Sequence, residues 1–118
     1  MSRNSKEAFL IVLVTAPSME AGQSIARRLV DERLAACVNI VPGVTSIYRW
    51  KGQISQDSEV LLVCKTRQSC MEKLDARVHS LHPYEVPEIL AIPLAGGSAA
   101  YLNWLAAETA EGRDEQDG

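Results

Sequence analysis

Cys37–Trp50 and Ile54–Thr66 read as two long strands joined through Lys51-Gly52, and this pair constrains the fold more than any other feature. Gly52 supplies the positive φ that a two-residue hairpin turn requires. The thirteen residues from Val38 to Trp50 would reach roughly 43 Å at about 3.3 Å each if fully extended. A compact chain of 118 residues has a radius of gyration near ~13.5 Å, hence a diameter of about 35 Å. Part of the ribbon therefore has to project beyond its own core. Its projecting end carries Ile47, Tyr48, Trp50 and Ile54, which are poor residues for a bare two-stranded ribbon in water. The expectation is that the ribbon pairs with other copies of this chain. Pro42-Gly43 interrupts the first strand and predicts a bulge or bend at an edge position. Beyond it, Val44, Ser46, Tyr48 and Trp50 fall on one face.

The remaining elements follow from periodicity. Phe9–Thr15 is a continuous apolar, β-branched-rich run, the mark of a strand covered on both faces. Pro17-Ser18 opens a helix that Ser18 can cap, with Ile25, Ala26, Leu29 and Val30 on its apolar side. Arg27, Arg28, Asp31 and Glu32 fall on the opposite side and read as solvated charge. Ser69 and Glu72 have the spacing of a capping box before a second helix striped by Met71, Leu74, Val78 and Leu81. Pro83 stops that helix, Glu88–Leu94 makes a fourth strand, and Ser98 caps a last helix with Tyr101, Leu102, Trp104 and Leu105 on its apolar side. The order β-α-β-β-α-β-α predicts an α+β protein of the split βαβ, ferredoxin-like kind, an antiparallel sheet with helices on one face.

Charge excludes some partners. Twelve Lys and Arg stand against fifteen Asp and Glu, a net −3. The segment 111–118 holds four of those acids (Glu111, Asp114, Glu115, Asp117) and one base (Arg113), so the rest of the chain is neutral. A neutral body offers neither nucleic acid nor an anionic membrane an electrostatic reason to bind. We expect disordered ends at 1–7 and 111–118 flanking one domain at 8–110. No stretch approaches the ~20 apolar residues that span a bilayer, and Phe9–Val14 is too short for a signal peptide. Cys37, Cys64 and Cys70 are odd in number and form no CxxC pair, which fits reduced thiols and a cytoplasmic location.

Chemistry concentrates in His82-Pro83-Tyr84-Glu85-Val86-Pro87-Glu88. Two prolines stiffen a connection that carries an imidazole, a phenol and carboxylates, and connections on a rigid scaffold are where binding groups tend to sit. A stapled loop whose His and Glu cap neighbouring backbone is the bland alternative. His79 and His82, at i and i+3 on a helix end, could reach one ion.

Taken in order, the motifs resemble the CutA family of divalent-cation-tolerance proteins over nearly all of residues 9–109. They are Val14-Thr15-Ala16-Pro17, Glu32–Ile40, Pro42–Trp50 with Gly52, Glu59-Val60, Lys65-Thr66, His82–Glu88 and Tyr101–Leu105. The resemblance implies a ferredoxin-like homotrimer with long hairpins crossing between subunits, no enzymatic activity, and a link to copper(II) or another divalent cation without an organic cofactor. In some relatives copper ligation is attributed to a Cys before the Thr of the first-strand motif and to paired His before the proline. Here Val14 and Leu81 stand at two of those places and only His82 remains, with Cys37 matching the family's shared cysteine. The architecture is also similar to PII-type signalling trimers. That implies a second reading, a ligand-sensing or protein-anchoring module with Trp50, Glu59, Lys65, Tyr84, Glu85, Glu88 and Arg49 as candidate cleft residues. An acylphosphatase-like enzyme would need a glycine-rich phosphate loop, which Thr15–Glu20 lacks.

Overall fold

The computed structural model describes residues 7–109; the ends expected to be disordered fall outside them, apart from Glu7. Four strands run β1 (Phe9–Ala16), β2 (Cys37–Trp50), β3 (Gln53–Arg67) and β4 (Ile89–Pro93), with helices α1 (Met19–Asp31), α2 (Met71–Leu81) and α3 (Ala99–Glu108). The sheet is antiparallel in the order β2-β3-β1-β4, the ferredoxin-like arrangement.

Alternation along β1 and β3 divides the sheet into two faces. Leu10, Val12 and Val14 of β1 and Val60, Leu62 and Cys64 of β3 are buried, and with Ile25, Leu29, Leu74 and Val78 of α1 and α2 they form the core. Ser18 caps α1 as its sequence predicts, accepting from the Ala21 N–H at 3.1 Å. Gly22 brings α1 close to the sheet: a Cβ there would lie 3.0 Å from Val60 Cγ2. Glu32, read from sequence as solvated, is exposed, and it also takes a paired contact from Arg77 of α2 at 2.8–3.1 Å, tying the two helices together.

The start of α2 corrects the sequence reading. A 3₁₀ turn over Gln68–Cys70 precedes the helix, and no side chain caps it. The Ser69 N–H goes to the Glu7 carboxylate at 2.8 Å, so a distant residue takes the place of the expected capping box.

The hairpin behaves as its length requires. The molecule extends over 51 × 31 × 23 Å with a radius of gyration of 15.4 Å, above the ~13.5 Å of a compact chain of this size. Trp50 pairs with Gln53 across Lys51 (φ 52°) and Gly52 (φ 78°), the two positive-φ residues of a type I′ turn. One extra residue enters β2 between Val41 and Val44, with Gly43 at φ 74°. This is the bulge that Pro42-Gly43 predicts, and β2 is an edge strand.

The second face of the sheet is apolar and open. Ile11, Leu13, Leu61 and Val63 are half-buried, and Val41, Leu90 and Ile92 are exposed. At one end of it Tyr101 of α3 stands against Cys37.

Candidate functional site

Pro83 ends α2, and the chain then turns through residues 82–88 back to β4. His82 is the C-cap of α2, extended at φ −81° and ψ 139°, as a residue before proline has to be. Its side chain points inward and is 7% exposed. Nε2 lies 2.7 Å from the Thr15 carbonyl, and Nδ1 lies 3.1 Å from the Tyr84 N–H. These partners fix the tautomer. A carbonyl can only accept, so Nε2 carries the proton; an amide N–H can only donate, so Nδ1 offers its lone pair.

Tyr84 extends the chain of contacts. Its ring tilts against the imidazole at 4.7 Å between centroids, and its hydroxyl donates to Glu59 Oε2 at 2.8 Å. Burial and that bond to a carboxylate push the phenol well above its ordinary pKa. Glu59 is 8% exposed and sits on the open-face side of β3. Two residues along, on the same side, Asp57 accepts from the Tyr48 hydroxyl, and this bond raises the Tyr48 pKa. The loop, β1 and β3 thus meet through the series Thr15–His82–Tyr84–Glu59, with a second phenol–carboxylate pair beside it. Glu85 and Glu88 of the same loop are exposed.

This geometry does not fit a metal ion at His82. The one lone pair of the neutral ring is taken by the Tyr84 N–H, so ligation would require breaking a buried bond. His79 gives no second ligand: it is on the exposed side of α2, with Nδ1 3.0 Å from the Asp75 carbonyl. Among the described residues no group of three or more His, Cys, Asp or Glu is placed to hold a metal. Of the two sequence readings of His82, a metal-facing imidazole and a cap on neighbouring backbone, the contacts to Thr15 and Tyr84 are those of the second.

Cys37 belongs to a separate cluster. It pairs across the strands with Lys65, whose Nζ lies 3.8 Å from Sγ and also donates to Asn39 Oδ1. The thiol is half-buried, beside the Tyr101 hydroxyl. Cys64 pairs with Val38, one register position on, so it points into the core while Cys37 points to the open face. Opposed Cβ vectors prevent a disulfide between them.

The other cleft candidates share a face but not a place. Along β3, Lys65 is six residues from Glu59, and Gln53, the partner of Trp50, is six residues the other way. Each step is about 20 Å. One chain therefore joins Glu59 to Tyr84 and His82, and leaves Lys65 and Trp50 at opposite ends. Asp57, Asn39 and Tyr101 complete these clusters and were missed from sequence. The period-two spacing of Asp57 and Glu59 was the available signal for the first.

Comparison with known proteins places this architecture. Residues 10–108 match the family model described as CutA1 divalent ion tolerance protein. The divalent-cation tolerance protein CutA of Thermus thermophilus is 57% identical over 84% of this chain and 96% of its own length. Protein CutA, chloroplastic, of Arabidopsis thaliana is 53% identical, and this chain spans 53% of that longer protein. Among solved structures, CutA1 from Oryza sativa superposes with a TM-score of 0.86 at 46% identity, covering 88% of this chain and 95% of that one. The T. thermophilus structure gives 0.84 at 55% identity, covering 86% and 98%. The chain belongs to the CutA1 divalent ion tolerance family.

Proposed function

We propose that this chain acts in divalent-cation tolerance as a non-enzymatic homotrimer, with copper(II) as the first cation to test. The observation that carries the assembly is the unpartnered surface: an apolar sheet face, and a hairpin end with Ile47 66%, Ile54 71%, Trp50 44% and Tyr48 40% exposed. Surface of this kind on a long ribbon marks an interface. The sheet ends in two different free edges, β2 and β4. Pairing one with the other between copies is a heterologous contact, which makes a ring where the rotation closes and a filament where it does not, and three is the smallest such ring.

The cation link does not run through His82, because its lone pair is occupied. Cys37 is the soft donor that keeps some access, and a complete site would need ligands from more than one copy. Three unbridged cysteines suit a reducing, cytoplasmic setting.

Light scattering tests the assembly, and calorimetric titration with copper(II) and zinc(II) tests the link, using wild type beside Cys37→Ser and His82→Ala. A trimer whose cation affinity falls in Cys37→Ser and holds in His82→Ala is the expected result. A monomer at micromolar concentration overturns the assembly. Affinity lost only in His82→Ala overturns the assignment of the imidazole, and a trimer with no cation binding turns the reading toward ligand sensing.

A further inference from the structure

Of the three helices, α3 has the least hold on the body of the molecule. Within 99–109 only Leu105 and Thr109 are buried, while Tyr101 and Trp104 stand 42% exposed with their rings 5.4 Å apart. We propose that α3 is a lid over Cys37, pivoting at Gly96-Gly97 and latched at its far end by Arg33 and Arg67, so that its opening sets the access of dissolved reagents and ions to the thiol. As control of cation access, the lid rests on the reading of Cys37 as the accessible donor. As a moving part, it rests on the geometry of α3 alone.

Cys37 has Lys65 Nζ 3.8 Å from its sulfur and the Tyr101 hydroxyl beside it. Tyr101 lies in the first turn of α3, so whatever holds the helix also holds this phenol over the thiol. The two ends of the helix are held very differently. Before it, the Leu94 N–H donates to the Phe9 carbonyl at 2.9 Å, and residues 94–98 then form neither helix nor strand. A Cβ at Gly96 would meet nothing within 4 Å, and two successive glycines give this stretch its freedom to pivot. At the other end Arg33 Nη1 donates to the carbonyls of Ala107 at 3.4 Å and Glu108 at 3.3 Å, and Arg67 Nη2 to that of Thr109 at 3.1 Å. Guanidinium groups on the last carbonyls of a helix also suit its dipole. Leu105 supplies the apolar part of the latch. Few buried apolar contacts, with the polar ties gathered at one end, mark a segment that opens before the core does. The Thr109 carbonyl is also 3.4 Å from Cys70 Sγ, so a fully buried thiol lies directly beneath the latch.

The three cysteines read the motion: Cys37 under the lid, Cys70 under the latch, and Cys64 inside the sheet core. The test is pulsed alkylation of the intact protein with iodoacetamide at fixed pH, with peptide mass spectrometry giving the rate at each thiol relative to the denatured chain. In wild type, Cys37 should react more slowly than in the denatured chain. Arg67→Met should raise the rates at Cys37 and Cys70 together, at Cys70 by roughly tenfold or more for the loss of a charge-assisted bond, and leave Cys64 protected. Tyr101→Ala removes the cover and keeps the latch, so Cys37 alone should speed up. Cys37 reacting in wild type as fast as in the denatured chain overturns the proposal. So does an unmoved Cys70 rate in Arg67→Met, an unmoved Cys37 rate in Tyr101→Ala, or a Cys64 rate that rises in step with Cys70, the mark of whole-chain unfolding. If Arg67→Met fails to fold, wild type in urea below its unfolding transition decides, since Cys70 then has to become reactive ahead of Cys64. No cation enters these measurements, so a failure of cation binding at Cys37 moves none of the rates and the two readings fail separately.

Discussion

Arg67 donates through Nη2 to the carbonyl of Thr109 at 3.1 Å, so the last residue of β3 holds the chain just beyond α3. Nη1 meets the Glu7 carboxylate at 3.3 Å, and that carboxylate also takes the Ser69 N–H. Thr109 itself is fully buried, with its hydroxyl donating back to Leu105. Replacing Arg67 by Met keeps an aliphatic stem and removes both charge-assisted bonds. The expected loss is about 2 kcal/mol of unfolding free energy, in the range for hydrogen bonds to charged groups. Urea denaturation would measure it. Faster proteolysis near Thr109 would show where the structure loosens first.

Gly22 is held by space rather than by backbone conformation. A Cβ there would stand 3.0 Å from Val60 Cγ2 and 3.2 Å from Leu62 Cδ1. Gly22→Val should force α1 off β3 and cost roughly 1–3 kcal/mol, as overpacking of a tight core does. The midpoint of thermal unfolding should drop accordingly; an unchanged midpoint would mean the interface yields more readily than these distances suggest.

Trp50 separates folding from assembly. It is 44% exposed in the single chain, with Lys51 Nζ 5.9 Å from its ring centre. Trp50→Ala should therefore leave the fold of each chain intact. Assembly should weaken by about 3 kcal/mol or more for each large aromatic side chain that assembly buries. Light scattering across a dilution series, with circular dichroism as the control for folding, would resolve the two effects.

Cys64 predicts how the protein fails in base. Burial pushes its thiol up to about 12 from an ordinary 9.0, with Lys65 opposing and Cys37 adding to the shift. Above about pH 9 the unfolded chain releases this proton while the folded chain keeps it, so stability falls as pH rises. The fall continues until the folded thiol also ionises near 12. Within that window the unfolding equilibrium constant should rise by up to tenfold per pH unit. Cys64→Val should flatten this dependence, as denaturant titrations at several alkaline pH values would show.

What the sequence made legible was mostly local or set by length. The hairpin was readable because Lys51-Gly52 fixes its turn, and because strands of that length cannot fit inside one small core. Ser18 was readable as a cap because its partner lies three residues on. The start of α2 was not, since the carboxylate that serves Ser69 comes from Glu7 at a separation of 62 residues. His82 combines both kinds of contact. Its bond to Tyr84 is local, but its bond to Thr15 spans 67 residues, and only the fold reveals that both nitrogens are used. Trp50, Glu59 and Lys65 were grouped as cleft candidates by similarity of architecture, and the strand register puts all three on one face. Face says nothing of distance along a strand, so residues about 20 Å apart looked like neighbours.

The single extra residue between Val41 and Val44 has a consequence for insertions and deletions. Before it, the odd-numbered residues Cys37, Asn39 and Val41 look toward the open face; after it, the even-numbered Val44, Ser46, Tyr48 and Trp50 do. The bulge works as a phase shifter between two halves of one strand. Removing one residue there would leave composition and strand length nearly unchanged while rotating everything downstream to the opposite side, Tyr48 away from Asp57 and Ile47 toward it. Gain or loss of a residue at Gly52 would only lengthen or tighten a turn. Two positions in the same hairpin thus differ sharply in their tolerance of length change, and position 42–43 is the one at which such change inverts a surface.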